Sequence, residues 1–330
     1  MVSNSKNQKP ILEIRNLKTG FKIKGNQFHP AVDGIDVDVC AGEVLGLVGE
    51  SGCGKTVASL SILSLVPKPG LISGGRILWK GKNLLELSHR EMRGVRGREV
   101  AMIFQNPQAA LNPLYTIGHQ MRSLINLHRP MSTAQAEAEA VRLLTTVRLS
   151  DPEKRLHDYP HQLSGGQCQR VMIAMALSCQ PELLIADEPT AALDVTIQAQ
   201  IMDLLLEIRD RFEMSILLIS HDMGVVARMC DRISVMYLGK IVEEASAQSL
   251  YTRPKHPYTR ALLEAVPIPD PSSKGKVTSI PGDLPSAVKL PTGCRFRTRC
   301  PEAFSKCTQV EPELALMNPD GSKVACWLYQ

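Results

Sequence analysis

Short apolar runs and amphipathic segments alternate along most of the chain. Apolar residues at alternate positions from Ala31 to Val39, and the segment Ile11–Arg15, predict half-buried strands. Continuous apolar runs predict strands buried on both faces at Val44–Gly49, Leu183–Ala186, Ile216–Ile219 and Ile233–Tyr237. Apolar residues with helical spacing lie between them at Val57–Leu65, Ser132–Thr146 and Gln198–Arg211. Buried strands that alternate with helices predict an α/β domain with a mainly parallel sheet.

Two segments depart from this alternation. Residues from about 106 to 180 have helical patterns without strong strand signals, which predicts a helical insertion between two sheet strands. From Pro254 onward, proline, glycine and serine become frequent and periodicity is weak. We therefore expect a first domain over residues 11–253 and a loop-rich C-terminal extension over residues 254–330.

Charge and hydropathy restrict the protein class. The net charge of +5 is small for 330 residues and the two signs are interspersed, which argues against a nucleic-acid-binding surface. The uncharged, mainly apolar stretches Thr56–Pro67 and Val171–Pro181 are shorter than the about 18 to 20 apolar residues of a membrane span. The polar segment Met1–Pro10 lacks the apolar core of a secretory signal. These features predict a cytosolic protein that would reach a membrane only through a partner.

A glycine-rich segment follows the first buried strand. Gly49-Glu-Ser-Gly-Cys-Gly-Lys-Thr56 matches the phosphate-binding pattern G-x-x-x-x-G-K-[ST] and precedes a predicted helix. The candidate phosphate-binding residues are Gly49, Ser51, Gly52, Cys53, Gly54, Lys55 and Thr56. Backbone N–H groups would surround the phosphates, with Cys53 contributing only its backbone. Lys55 would add a positive charge, and the Thr56 hydroxyl would bind Mg²⁺.

Two carboxylates end a later buried strand, Leu183-Leu-Ile-Ala-Asp-Glu188. The carboxyl ends of parallel strands lie at one edge of a sheet, where ligands bind. We expect Asp187 to hold Mg²⁺ and Glu188 to orient or deprotonate the attacking water. Together with the glycine-rich loop, these residues predict a nucleoside triphosphatase.

A second candidate anion-binding helix terminus lies at Leu163-Ser-Gly-Gly-Gln167. Ser164 is a good N-cap, and Gly165 and Gly166 would open a helix that continues from Gln167. One nucleotide cannot easily use both helix termini, so the chain is expected to take part in two nucleotide sites. Here the sequence resembles the ABC transporter ATPases, whose LSGGQ signature occupies this position.

Other segments match this family in order. Gln105 matches the Q-loop glutamine, a ligand of Mg²⁺ and water, and Asp194, in Ala192-Leu-Asp194, matches the D-loop at the dimer interface. His221 matches the switch histidine that contacts the γ-phosphate. Phe21 is the best match to the aromatic residue that stacks on adenine, with Phe28 as the alternative.

The resemblance implies a fold and a mechanism. The fold is an ABC-type nucleotide-binding domain with a mainly parallel sheet, an antiparallel β subdomain and the helical insertion. Two such ATPases pair head to tail, so that the P-loop of one and the signature of the other enclose each ATP. The cofactors would be ATP and Mg²⁺, and the catalytic residues would be Lys55, Gln105, Glu188 and His221.

The C-terminal extension narrows the resemblance. His256-Pro-Tyr-Thr259 and the following leucines resemble a segment of oligopeptide and dipeptide (peptide–nickel) importer ATPases. This implies import of di- or oligopeptides with two permease subunits, a paralogous second ATPase and an extracytoplasmic solute-binding protein, and a peripheral location on the cytoplasmic face of the membrane. Import of nickel, glutathione or antimicrobial peptides stays open. A soluble ABC ATPase acting on nucleic acid or ribosomes is disfavoured by the single P-loop and the mild charge.

Four of the nine cysteines gather near the C-terminus with the spacing C-x5-C-x6-C-x18-C. They are Cys294, Cys300, Cys307 and Cys326. Clustered thiols in a reducing compartment predict a metal site, although the C-x2-C pairs usual for zinc are absent. The matching cysteines of peptide-importer ATPases resemble ligands of a 4Fe-4S cluster, whose negative charge Arg295, Arg297 and Arg299 would offset. Zinc and reduced structural thiols remain alternatives.

Overall fold

The computed structural model describes residues 9–23, 27–191, 193–265, 282, 285, 290–317 and 321–330. The chain divides into two compact units. The first unit combines residues 1–86 with residues 218–330, and the second consists of residues 87–217. Each unit therefore holds part of the predicted nucleotide-binding residues.

Strands and helices alternate through most of the described chain. The strands are β1 (Pro10–Ile23), β2 (Gln27–Cys40), β3 (Val44–Val48), β4 (Gly70–Trp79), β5 (Lys82–Asn83), β6 (Val100–Ile103), β7 (Leu183–Asp187), β8 (Ser215–Ser220), β9 (Arg232–Tyr237), β10 (Lys240–Ser246), β11 (Ala315–Met317) and β12 (Ser322–Val324). The helices are α1 (Lys55–Ile62), α2 (His89–Val95), α3 (Pro107–Ala110), α4 (Ile117–His128), α5 (Thr133–Thr146), α6 (Pro152–Arg155), α7 (Gly165–Leu177), α8 (Val195–Phe212), α9 (Met223–Met229), α10 (Ala247–Thr252), α11 (Pro257–Glu264) and α12 (Ser305–Gln309). Among the described helices, none is both long and apolar enough to cross a bilayer.

The first unit contains two β-structures. An antiparallel sheet has the strand order β2-β1-β4-β5 and carries α1 against β1 and β2. Separately, β3 pairs with β9 in parallel, and β10, β12 and β11 continue from β9 as antiparallel neighbours. All five residues of β3 are buried, as a continuous apolar run predicts.

The second unit pairs two short parallel strands with a group of helices. β6 and β7 run side by side with Ile103 opposite Ala186, so both strands end at the same edge. Helix α7 packs against β6, α3, α4 and α5. Residues 106–180 contain helices and no strand, and the bounds of the helical insertion stay a prediction. Strand β8 crosses the division between the units along the chain.

The structure confirms the α/β class and contains a strand or helix at each predicted segment, but β1 continues eight residues beyond the predicted end at Arg15. It adds β4, β5, β6, β10, β11 and β12, which the sequence pattern does not predict. Helix α8 begins at Val195 because the side chain of Asp194 caps it, three residues before the predicted start at Gln198. The boundary between residues 253 and 254 stays a prediction.

Candidate functional site

The glycine-rich loop joins buried strand β3 to helix α1, as predicted. Gly49 has φ +154° and Gly54 has φ +113°, backbone angles that residues with a side chain rarely adopt. A Cβ on Gly49 would lie 2.1 Å from the carbonyl oxygen of Met236, and one on Gly54 would lie 2.3 Å from that of Ala31. Both glycines are therefore required by backbone angle and by close packing.

Lys55 lies at the first position of α1 and is 4% exposed. Its ammonium group donates to the carbonyl oxygens of Gly49 (2.6 Å) and Glu50 (2.9 Å). Ser51, Gly52 and Thr56 are exposed, so one side of the loop is open to a ligand. Cys53 is buried, and burial raises the pKa of its thiol. The thiol thus remains protonated and plays no charged role.

His221 also belongs to the first unit. It follows β8 directly and is exposed, and the next residue, Asp222, caps α9 by accepting from the N–H groups of Gly224 and Val225. The strand and the cap fix the backbone around the histidine on both sides. His221 is therefore placed by two ordered elements, as expected for a switch residue.

The two candidate adenine-stacking residues lie on neighbouring strands. Phe21 on β1 pairs with His29 on β2, and Phe28 pairs with Lys22. Phe28 is 36% exposed, whereas Phe21 is less so and its ring lies close to Gly70. This register shows how β1 and β2 pair. It does not test which phenylalanine stacks on adenine, so the assignment of Phe21 stays a prediction.

The second unit brings Gln105 and Glu188 together. Nε2 of Gln105 donates a hydrogen bond of 2.8 Å to Oε2 of Glu188. Gln105 follows β6, and Asp187 and Glu188 end or follow β7, so the parallel pairing of the strands causes this contact. Asp187 is 2% exposed, and Glu188 has φ +44°, an uncommon backbone angle for a residue with a side chain.

The signature segment forms the capped helix start that the sequence predicts. The Ser164 hydroxyl accepts from the Gln167 N–H (3.3 Å), and the Gln167 side chain accepts from the Ser164 N–H (2.9 Å). Gly165 and Gly166 follow this capping box in the first turn of α7. The N–H groups of a first helical turn have no partner within the helix. The helix start is thus suited to bind an anion.

The D-loop residue Asp194 lies beside the signature in the same unit. A Cβ on Gly166 would lie 3.0 Å from the side chain of Ile197, and one on Gly165 would lie 3.6 Å from Leu193. The side chain of Asp194 accepts from the Ile197 N–H (2.9 Å) and so caps α8. Ala192, the first residue of the predicted D-loop, lies outside the described residues.

The segment His256–Thr259 is built around buried polar groups. Nδ1 of His256 accepts from the Tyr258 N–H (3.0 Å) and caps α11. Burial, and next the charge of Arg260, lower the pKa of His256 to about 3, so the imidazole is neutral. Glu243 on β10 accepts from the N–H groups of Lys255 (2.8 Å) and His256 (2.9 Å).

Cys294 is affected by the three other C-terminal thiols. Burial raises the pKa of Cys294 to about 11, and the neighbouring thiols Cys307, Cys326 and Cys300 add to this effect. The Cys294 N–H also donates to the Cys307 carbonyl (2.8 Å). Yet no three or more His, Cys, Asp or Glu side chains in the described ranges are placed to hold a metal ion. The predicted iron–sulfur cluster is therefore not supported by this arrangement.

Two of the three arginines between Cys294 and Cys300 form ion pairs with carboxylates elsewhere in the chain, and their role of offsetting a cluster's charge stays a prediction. Arg295 pairs with Asp33 and with Glu311 (2.9 Å), and Arg299 forms a two-pronged ion pair with Glu50 of the glycine-rich loop. Arg297 donates to the carbonyl oxygen of Thr292. Pairs separated by 249 positions in the sequence give no local signal, so Glu50 and Arg299 were not predicted as partners.

Comparison with known proteins is consistent with this geometry. Residues 32–191 match the family model described as ABC transporter, and residues 242–307 match the one described as oligopeptide/dipeptide transporter, C-terminal region. The chain is 49% identical to the "Probable peptide ABC transporter ATP-binding protein" of Sinorhizobium fredii, with 96% of this chain and 94% of the relative covered. It is 47% identical to the oligopeptide transport ATP-binding protein AppD of Bacillus subtilis, with 97% of each covered.

A solved structure extends the comparison to three dimensions. The dimeric post-hydrolysis structure of an ATP-binding cassette bound to ADP and Pi matches with a TM-score of 0.64 and 27% identity. The match covers 72% of this chain and 98% of that structure. From the ordered motifs, the α/β fold and relatives of almost equal length, we conclude that the chain belongs to the ATP-binding proteins of the ABC transporter family that carry the oligopeptide/dipeptide transporter C-terminal region.

Proposed function

We propose that the protein is the ATP-hydrolysing subunit of a membrane ABC transporter that imports di- or oligopeptides. One observation carries the proposal: a complete set of ATPase motifs shares one chain with the oligopeptide/dipeptide transporter C-terminal region at residues 242–307. The names of the relatives, which include peptide and oligopeptide transport ATP-binding proteins, support the same substrate class.

In this proposal the catalytic work is positioning and electrostatic stabilisation. Lys55 and the loop N–H groups bind the phosphates, and His221 contacts the γ-phosphate. Glu188 orients or deprotonates the attacking water, and the hydrogen bond from Gln105 holds its carboxylate. Phe21 stacks on the adenine ring.

Mg²⁺ would neutralise charge that develops on the phosphates. The predicted ligands offer the oxygen donors that Mg²⁺ prefers: a hydroxyl at Thr56, an amide at Gln105 and a carboxylate at Asp187. Asp187 is buried at the end of β7, where a carboxylate is stable when it binds a cation. The donor chemistry therefore fits the ion.

The assembly we propose places two ATPases head to tail, this chain with a paralogue, beneath two permease subunits. The exposed start of α7 would then meet an ATP held by the partner's P-loop, with Ser164, Gly165, Gly166, Gln167 and Asp194 at the interface. An extracytoplasmic binding protein would deliver the peptide. The chain would lie on the cytoplasmic face of the membrane, attached through the permease.

Reconstituted transport tests this proposal. The complete transporter is placed in proteoliposomes with ATP inside and a radiolabelled dipeptide or tetrapeptide outside with the binding protein. We expect ATP-dependent uptake that Lys55→Ala abolishes. Uptake of nickel or glutathione in place of peptides would refute the substrate, and a Lys55→Ala variant with normal ATP affinity would refute the P-loop assignment.

We further propose that the four C-terminal cysteines bind an iron–sulfur cluster, on the ground of their Cys₄ donor set and its resemblance to the cysteines of peptide-importer ATPases, although the described side chains are not arranged as a metal site. The test is iron content and visible absorbance after anaerobic purification of wild type, Cys300→Ser and the control Cys230→Ser, whose cysteine is buried elsewhere. We expect iron in wild type and in the control, and its loss in Cys300→Ser. Zinc in place of iron, or no metal in wild type, would refute the cluster.

A further inference from the structure

Glu50, the second residue of the phosphate-binding loop, is bonded to the C-terminal extension at two points. Its carboxylate accepts from Nη1 (2.6 Å) and Nη2 (2.9 Å) of Arg299. Its backbone N–H donates to the Tyr258 hydroxyl oxygen (2.8 Å). Its carbonyl oxygen accepts from the Lys55 ammonium (2.9 Å). A single residue thus connects the extension to the lysine that binds phosphate.

The contacts on the extension side are buried and rigid. Arg299 is 6% exposed and Tyr258 is fully buried. The Tyr258 ring lies 4.7 Å from that of Tyr237 and 5.3 Å from that of Phe296, and the Arg299 guanidinium lies 6.0 Å from the Tyr237 ring centre. Aromatic packing restricts the rotamers of these side chains, and exclusion of water strengthens the ion pair.

The negative charge of Glu50 is the reason why its ion pair with Arg299 affects ATP binding. A carboxylate beside the loop that receives polyphosphate would repel the ligand unless a cation neutralises it. Arg299 supplies that cation, and its planar fork holds both carboxylate oxygens, which a lysine ammonium cannot do in the same geometry. The ion pair therefore acts on both the charge and the position of the loop.

The segment between Cys294 and Cys300 also contacts other parts of the first unit at a second place. Arg295 donates to the carbonyl oxygen of Leu238, between β9 and β10, and pairs with Asp33. The Gly239 N–H in turn donates to the carbonyl oxygen of Cys53 in the phosphate-binding loop (2.8 Å). Arg299 therefore connects this segment to the phosphate-binding loop through Glu50, and Arg295 does so through Leu238 and Gly239. The segment thus supports the loop.

We propose that Arg299 is a positioning residue for ATP binding, which acts through Glu50 to fix the phosphate-binding loop and to neutralise its carboxylate. The inference rests on the assignment of this loop to ATP. It gives the C-terminal extension a role in nucleotide affinity in addition to any role of its cysteines. Arg299 itself does not touch the nucleotide.

A double-mutant cycle in the purified full-length chain tests this role. ATP dissociation constants are measured by equilibrium dialysis for wild type, Arg299→Gln, Glu50→Gln and the double variant, together with KM and kcat for hydrolysis. Arg299→Gln leaves the Glu50 charge uncompensated, so we expect the dissociation constant and KM to rise about tenfold and kcat to change far less. In the double variant the repulsion is gone, and affinity should return to within about threefold of wild type.

Control variants separate this role from a general loss of structure. Arg297→Gln removes a half-buried arginine of the same segment that does not contact Glu50, and it should leave the dissociation constant within about twofold of wild type. A double variant as weak as Arg299→Gln, or an unchanged affinity in Arg299→Gln, would overturn the proposal.

Two further comparisons keep the test decisive. If Arg299→Gln does not fold, Glu50→Gln is compared with the double variant, and more than about a twofold difference in affinity would overturn the proposal. Lys55→Ala separates the two assignments: if it retains normal ATP affinity, the P-loop assignment itself has failed.

Discussion

Gln105 donates a hydrogen bond of 2.8 Å from Nε2 to Oε2 of Glu188, and the two residues lie 83 positions apart. The contact follows from the parallel pairing of β6 with β7, which ends both strands at one edge. Glu188 also holds a left-handed backbone angle, φ +44°. Strain of this kind persists where the surrounding structure fixes a functional side chain.

The first prediction concerns this glutamate. Glu188→Gln keeps the size of the side chain and removes the carboxylate that we propose to activate water, so kcat for ATP hydrolysis should fall about 10²-fold or more. ATP affinity should remain near that of wild type, because the phosphate-binding loop is unchanged. Phosphate release and equilibrium dialysis measure the two quantities. Turnover equal to wild type would remove Glu188 from the catalytic role.

The second prediction compares the capping box of the signature with the capping box at the start of α5. Ser132 caps α5 with the same geometry, since its hydroxyl accepts from Gln135 N–H at 3.3 Å, the value found for Ser164 and Gln167. Ser164→Ala and Ser132→Ala should therefore each lower the free energy of unfolding by about 1 kcal/mol. Only Ser164→Ala should also lower ATP turnover of the assembled transporter.

Urea unfolding and phosphate release measure both quantities for this pair of variants. Equal loss of turnover in the two would mean that the signature serine acts only as a cap. Retention of full turnover in Ser164→Ala would contradict its place at the nucleotide interface.

The third prediction concerns the glycines of the phosphate-binding loop. Gly54→Ala would place a methyl group against the carbonyl oxygen of Ala31 at an unfavourable φ of +113°. We expect a loss of about 3 kcal/mol in the free energy of unfolding, from steric overlap and backbone strain together. Gly42→Ala is the control, because Gly42 also has a positive φ (+70°) but no atom within 4 Å of the added Cβ.

Urea unfolding of both glycine variants separates the two contributions. The control should lose about 1 kcal/mol, the strain alone. Equal losses in the two variants would show that close packing at Gly54 is unimportant.

Hydrophobic patterning does not predict β10 because this strand buries charged residues. In β10, Glu243 and Glu244 are 1% and 4% exposed, although adjacent glutamates are typical of a solvated segment. Glu244 pairs with Arg232 (3.1 Å) and Lys323 (2.9 Å), and Glu243 binds the backbone before α11. Partners that are distant in sequence stabilise these buried carboxylates. A local sequence pattern cannot show such partners, so it does not predict the strand.

The nucleotide motifs behave differently, because their requirements are local. A buried strand, positive-φ glycines and a helix start specify the loop from Gly49 to Thr56 within one continuous segment, and the capping box specifies Ser164 and Gln167 in the same way. The Arg299–Glu50 pair needs the tertiary fold of the first unit. Sequence therefore predicts the motifs and misses the contacts that support them.

The fourth prediction follows from the buried imidazole of His256. Its pKa is about 3 in the folded protein, against about 6.5 in an unfolded chain. Between these values the unfolded chain binds more protons, so stability is lost as the pH falls below about 6.5. This residue alone should reduce the free energy of unfolding by about 2 kcal/mol between pH 7 and pH 5.

The variant His256→Asn retains an acceptor for the Tyr258 N–H but does not titrate in this range, so its stability should fall less steeply with acid. The control His89→Asn replaces an exposed histidine and should leave the slope of wild type unchanged. Urea unfolding at pH 5, 6 and 7 measures the slopes. A wild-type slope in His256→Asn would mean that His256 takes up its proton without unfolding. In that case the cap of α11, and with it the Tyr258 contact to the phosphate-binding loop, would tolerate a charged imidazole.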